Sequence, residues 1–316
     1  MPDFLHNDPE FKDLLAIVSS KLGIDNALVE KDYWIMHSLY GLQQQAIEFE
    51  LKGGTSLSKG YGLIQRFSED IDIHIKTNFG FNTEGKEDKP DVKEARKAFY
   101  DKLADEISID GIVKVERDHE FDDPEKYRSG GIRLHYTTYS VALEGLKEGV
   151  LLEAGFDTVT PNQPVDISSW VLDYAKSLEG PFHYIDNTAR AVLCYLPGYT
   201  LVEKLQTIVN KFRKESANME KPRNFLRQYY DVYCLLKHPD VQKFIGTQEY
   251  QTHKSVRFRG ADKEIALSVH PAFHLPDKKM RSAFEKQYKN SSKLYYIDQP
   301  DFEVVLAGIQ KYIHLL

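Results

Sequence analysis

The six residues Asp70-Ile71-Asp72-Ile73-His74-Ile75 constrain this chain more than any other stretch. Successive side chains of a β-strand point to opposite faces, so the isoleucines share one face and the two aspartates the other. The segment from Ile71 to Ile75 is therefore expected as a half-buried strand with its isoleucines on a core. Two carboxylates so close raise one another's proton affinity unless a cation lies between them. Oxygen-only ligands favour Mg²⁺ or Mn²⁺. The competing explanation is an ordinary exposed strand face, but aspartate is a poor strand former and two at i and i+2 need a reason.

Upstream, Phe49 to Lys52 reads as a short strand broken by Gly53-Gly54, and Thr55-Ser56-Leu57-Ser58-Lys59 as the start of a short helix. Glycines let the backbone approach a ligand without side-chain interference. A helix start directs free N–H groups and partial positive charge at that turn, which suits phosphate oxygens, and Thr55 or Ser56 can add a hydroxyl donor. The Walker A pattern cannot be aligned on this segment. A two-metal site, with ions about 3.5–4 Å apart, usually needs a third carboxylate. Glu153, in the expected strand from Val150 to Val159, is the candidate, with Asp157 on the same face by period as the alternative. Asp70, Asp72 and Glu153 are thus the expected catalytic and metal-binding residues.

The rest of the chain divides by character. Apolar spacing predicts helices from Asp8 to Leu22 and from Asn26 to Gln45, a loop over 79–92, and a helix from Val92 to Ile107. Further strands are expected over Gly111–Glu116 and Gly131–Tyr139. From Tyr199 the pattern turns helical: one helix through Leu201, Leu205 and Phe212, then Phe225–Leu236, Lys278–Tyr288 and Phe302–Leu316. The expected architecture is α+β: a mixed sheet with flanking helices over residues 1–195, then a mainly helical portion over 196–316.

The net charge of −7 opposes a globally basic nucleic-acid binder, yet residues 204–293 hold 19 Lys and Arg against 9 Asp and Glu. That local excess of +10 leaves −17 for the remainder, an acidic part suited to metals joined to a basic part suited to phosphates or RNA. Cys194 and Cys234 sit in apolar contexts and read as reduced core thiols, as in a cytoplasmic protein. No apolar run approaches the roughly 18–20 residues that span a bilayer. His270 and His274 are four apart, but Pro271 and Pro276 favour a loop over a zinc-binding helix. Glu203-Lys204 lies on one expected helix and Arg227 and Asp231 on the next, at i and i+4. A helix–helix ion pair is one explanation. A lysine point charge on a triphosphate, oriented by Asp231, is the other. Glu30 and Asp32 read as structural, pairing with Arg66.

Taken together, Glu30-Lys31-Asp32-Tyr33-Trp34, Lys52-Gly53-Gly54-Thr55-Ser56-Leu57, Arg66-Phe67-Ser68-Glu69-Asp70-Ile71-Asp72, Glu203-Lys204-Leu205 and Tyr230-Asp231-Val232-Tyr233 resemble the AbiEii/AbiGii toxin family in composition and order. This family is a branch of the DNA polymerase β-like nucleotidyltransferases that includes the MenT-type toxins. The resemblance implies a polymerase-β-like sheet, an active site containing Gly53, Gly54, Thr55, Ser56, Asp70 and Asp72, and nucleotide contacts from Lys204 and Asp231. It also implies NTP as substrate, a tRNA acceptor, and an AbiEi-like antitoxin as partner. Fifteen residues separate Gly54 from Asp70, longer than in the wider superfamily.

The expected reaction is Mg²⁺-dependent transfer of a nucleoside monophosphate from an NTP to an acceptor hydroxyl. Modification of a protein or a small molecule, and nucleotide binding without catalysis, are the alternatives.

Overall fold

The computed structural model describes residues 2–76, 89–157, 159–218, 225–258 and 260–316. The chain forms two compact units. The first comprises Met1–Tyr61 and Phe67–Tyr195, and the second Gly62–Arg66 and Leu196–Leu316.

In the first unit, α1 (Phe11–Leu22) closes on Gly23, whose φ of +66° is left-handed and favours glycine. Helix α2 (Asn26–Gln44) starts where the Asp25 carboxylate accepts the Ala27 N–H at 2.9 Å. It is buried on every side from residue 27 to residue 39, so it is an interior helix despite its charges. The strands are β1 (Phe49–Lys52), β2 (Asp70–Ile75), β3 (Ile112–Asp118), β4 (Ser129–Tyr136), β5 (Val150–Gly155), β6 (Asn162–Ile167) and β7 (Ala189–Tyr195). They form one sheet in the order β3-β4-β5-β2-β1-β7-β6, with β2–β5 and β1–β7 parallel and the other pairs antiparallel. Helix α3 (Gly53–Thr55) continues as a wider-wound turn over Ser56–Gly60. Helix α4 (Pro90–Glu106) packs on β3 and β4, and α5 (Trp170–Ser177) on α1 and α2.

Ile71, Ile73 and Ile75 of β2 are buried, while Asp70, Asp72 and His74 are half-exposed on the opposite face. Each buried isoleucine contributes about 1.5–3 kcal/mol. A one-residue slip would lose that and bury the carboxylates, so the pattern fixes the register.

In the second unit, α6 (Pro197–Asn218) packs on α7 (Arg227–Lys237), followed by α8 (Pro239–Phe244), α9 (Gln248–Arg257), α10 (Ala261–Glu264), α11 (Pro271–His274), α12 (Lys278–Lys289) and α13 (Phe302–Gln310). Its core includes Leu201, Leu205, Val232, Leu236, Val305 and Ile309. Gly308 lets α13 lie against Tyr233, whose ring would be 2.4 Å from an added Cβ.

The mixed sheet with flanking helices is the α+β arrangement expected. Several details differ. The strand expected to reach Val159 stops at Gly155, and the chain then makes a separate strand, β6; neither β6 nor β7 was expected. The last helix ends at Gln310 rather than Leu316. The loop expected over 79–92 lies mostly outside the described residues, and its final part, from Pro90, already belongs to α4. His270 and His274 border a short helix instead of a loop. The His270 ring accepts the Ala272 N–H and the His274 ring bonds the Ser268 carbonyl, so neither is arranged for zinc.

Candidate active site

The ladder carries the expected acidic residues onto one row. Lys52 of β1 stands opposite Asp72 of β2, Asp72 beside Glu153 of β5, Glu153 opposite Gly131 of β4, and Gly131 opposite Asp118 of β3. Asp70 occupies the same face of β2 one step along. Asp157 lies beyond the end of β5 and is exposed.

Half-buried Glu153 is pushed up to about 7, first by burial and then by the Asp72 charge beside it. Lys52, Asp70 and Lys147 are the other charges acting on it.

The glycine turn and the aspartates form one site. Gly53 follows Lys52 with φ of +74°, and a Cβ there would fall 2.0 Å from Asp72 Oδ2. No side chain fits between this turn and the carboxylate. The hydroxyl expectation changes at this point: Thr55 Oγ1 donates to the Asp70 carbonyl at 2.6 Å and Ser56 Oγ to the Gly53 carbonyl at 3.0 Å. Both side chains are buried. These protons brace the turn against β2 rather than pointing outward.

The donor set of Asp70, Asp72 and Glu153 is all oxygen, as a hard divalent cation requires, and a cation beside Glu153 would oppose the shift that burial and Asp72 impose on it. Among the described residues, no three His, Cys, Asp or Glu side chains are already gathered at metal-binding spacing. The residues thus fit a cation bound by one or two carboxylates together with substrate phosphates, the usual arrangement for Mg²⁺.

Lys204 and Asp231 lie in the second unit, in a different electrostatic setting. Asp231 is fully buried between two cations: Arg66 donates from Nε and Nη2 to its two oxygens at 2.6 Å each, and Lys204 Nζ lies 2.6 Å from Oδ2. Burial works against the charge, but Arg66 and Lys204 outweigh it and hold this carboxyl below its usual range. Lys204 also donates to Gln228 at 2.8 Å.

The expected pairing of Glu30 or Asp32 with Arg66 is corrected: Arg66 forks onto Asp231, while Asp32 binds Lys59 at 2.9 Å and Glu30 accepts from residues 138–140. The spacing in the chain could not indicate these partners.

Lys52 was not anticipated at the site. Strand alternation gives its face, but only the β1–β2 register brings it opposite Asp72. One groove among the described residues, about 400 Å³ and lined by Phe11, Ile17, Leu178 and Phe182 among others, contains none of these residues.

With this geometry in view, comparison with known families is decisive. The family described as "Nucleotidyl transferase AbiEii toxin, Type IV TA system" matches residues 35–308. The chain belongs to this AbiEii family. It is accordingly a nucleotidyltransferase of the toxin–antitoxin type. No curated protein is significantly similar in sequence. Among solved structures, an antigenic nucleotidyltransferase-like protein from Paracoccidioides brasiliensis is similar over 74% of this chain and 88% of its own, at 14% identity and a TM-score of 0.34. No helix among the described residues of this AbiEii member is long and apolar enough to cross a membrane.

Proposed function

We propose that this AbiEii chain transfers a nucleoside monophosphate from an NTP to a hydroxyl of tRNA, using Asp70, Asp72 and Glu153 as its acidic centre. The observation that carries this reading is the contact of Gly53 with the Asp72 carboxylate. It makes the phosphate-type turn and the carboxylate pair parts of one surface. Asp70 and Asp72 would hold Mg²⁺ together with the triphosphate. When bound, that ion neutralises charge on the triphosphate and on the departing pyrophosphate.

The Gly53-Gly54 turn lies against Asp72 and would offer backbone N–H groups to phosphate oxygens, with Thr55 and Ser56 keeping its shape. Glu153 takes the proton of the attacking hydroxyl. The acceptor oxygen bonds to the α-phosphorus, the bond from that phosphorus to the bridging oxygen breaks, and pyrophosphate leaves. In the second unit we assign phosphate binding to Lys204, oriented by Asp231, and tRNA binding to the basic stretch over 204–293. An AbiEi-like antitoxin is the proposed partner and the cytoplasm the proposed location.

Incubation with each α-labelled NTP, with and without total tRNA, tests the reading. Label appearing in tRNA with release of pyrophosphate is the expected result. Label appearing in protein, or nucleotide bound without pyrophosphate release, would replace this reading with one of its alternatives.

A further inference from the structure

Three consecutive charged residues of α2, Glu30, Lys31 and Asp32, are each 1% exposed. Adjacent helix positions point about 100° apart, so three such residues face three directions. Burial of all three requires a partner in each direction.

Glu30 accepts from Thr138 Oγ1 at 2.9 Å, Tyr139 N at 2.7 Å and Ser140 N at 3.0 Å. Lys31 Nζ donates to the Lys147 carbonyl at 2.6 Å. Asp32 binds Lys59 at 2.9 Å and accepts the Trp170 N–H at 2.8 Å, and the Lys59 ammonium also lies 4.5 Å over the Trp170 ring.

These partners lie in the segments that flank the acidic row. Residues 138–140 and 147 belong to the connection between β4 and β5, held at its start by Glu30 and at its end by Lys31. Lys59 belongs to the helical turn that begins at Gly53. The Lys147 peptide is gripped on both sides, because its N–H donates to Glu69 Oε2 at 3.1 Å while its carbonyl receives Lys31. Glu69 immediately precedes Asp70, and Lys147 lies three residues before Val150, the first residue of β5. The Lys147 backbone thus ties the entry of the strand carrying Glu153 both to the residue before Asp70 and, through the Lys31 ammonium, to α2. Burial lowers the Lys31 pKa to about 8, and the Glu69 and Asp70 charges are the main ones that oppose this. The three residues also fall outside the span 35–308 matched by the family.

We propose that Lys31, in the same buried turn of α2 as Glu30 and Asp32, is a positioning residue for nucleotidyl transfer. It acts through the Lys147 peptide and Glu69 to fix Glu153 relative to Asp70, and does not touch the substrate. This inference rests on the assignment of Asp70, Asp72 and Glu153 as the acidic centre.

Two variants of the full chain test it. Lys31→Met removes the charge at similar length, and Lys31→Arg keeps the charge but replaces a point donor with a planar fork. Pyrophosphate release is followed against NTP concentration, together with melting temperature and amide exchange over residues 147–153. For Lys31→Met, kcat is expected to fall at least about tenfold, with KM for the NTP changed less than about threefold. Exchange over 147–153 is expected to rise, and Lys31→Arg to fall between wild type and Lys31→Met.

Wild-type kcat in the folded variants overturns the proposal. A loss of kcat with unchanged exchange at 147–153 also overturns it, and failure of both variants to fold makes Lys31 a stability residue alone. If the wild type releases no pyrophosphate with any NTP and acceptor, the parent reading fails instead. Exchange at 147–153 then still decides whether Lys31 holds this connection.

Discussion

Glu153 and Asp231 are carboxylates at the centres of the two units, and their surroundings shift them in opposite directions. Half-buried Glu153 stands beside Asp72, and burial with that like charge pushes it up to about 7. Asp231, fully buried, has Arg66 and Lys204 on its oxygens and is held below the usual carboxylate range. The same functional group thus meets burial and a like charge in one unit and two bonded cations in the other. A carboxylate raised in this way is a candidate for chemistry, whereas a neutralised cluster fixes packing. The contrast separates residues expected to matter chiefly for turnover from residues whose loss should first be felt in folding.

Gly53→Ala attacks the acidic side of the contrast most severely. The new Cβ would meet Asp72 Oδ2, and a φ of +74° strains any L-residue. Transfer is expected to fall about a hundredfold from displacement of Asp72. Urea denaturation should show a stability loss of about 1–3 kcal/mol. Wild-type turnover by this variant would separate the glycine turn from the aspartates.

Asp231→Ala should act on the second unit's stability. It leaves Arg66 and Lys204 buried without their shared counter-ion, at a cost of about 3–5 kcal/mol by denaturant unfolding. Because the folded pKa of Asp231 is depressed, its contribution is fully present above the unfolded value near 4. It is lost as pH falls through the lower folded value. The deficit of Asp231→Ala relative to wild type should therefore narrow in acid, measured as the difference in unfolding free energy at pH 7 and pH 3.

Glu153→Gln should do the opposite to stability. The raised folded pKa means that native protein binds more protons than unfolded protein between about 4.5 and 7, so wild-type stability falls as pH rises across that window. Removing the ionisable group should make the chelator-treated protein more stable at pH 8 by up to about 3 kcal/mol, with the gain vanishing near pH 4. Transfer should fall in the same variant. A destabilised Glu153→Gln at pH 8 would mean that folding does not raise the Glu153 carboxyl.

What the sequence revealed follows from which forces are local. The alternation of Asp70 to Ile75 is set by strand geometry, so that strand and its carboxylate face were legible. Glu153 was legible for the same reason, through the apolar run around it. Strand β6 was not, because Pro164 and its polar residues argue against a strand; it lies at the sheet edge, paired only with β7, where proline is tolerated. Strand β7 carries Arg190 and a positive φ at Ala191, which blur its alternation. The Arg66–Asp231 fork joins residues 165 apart in sequence, and no local pattern specifies such a pairing. Glu30 and Asp32 were legible as structural but their partners were not, because only tertiary packing reveals that α2 is interior. The placement of Lys52 opposite Asp72 likewise depends on a register reached across a long connection that includes residues of the second unit.

The central claim is that the acidic row of the first unit is the centre of transfer. It is tested most directly by α-labelled NTP transfer with Asp70→Asn beside wild type, each normalised to folded protein by its thermal transition. Asp70→Asn is nearly isosteric, so the variant should fold while label transfer per folded protein falls by at least about a thousandfold. Transfer at the wild-type rate by a folded Asp70→Asn protein would contradict the claim.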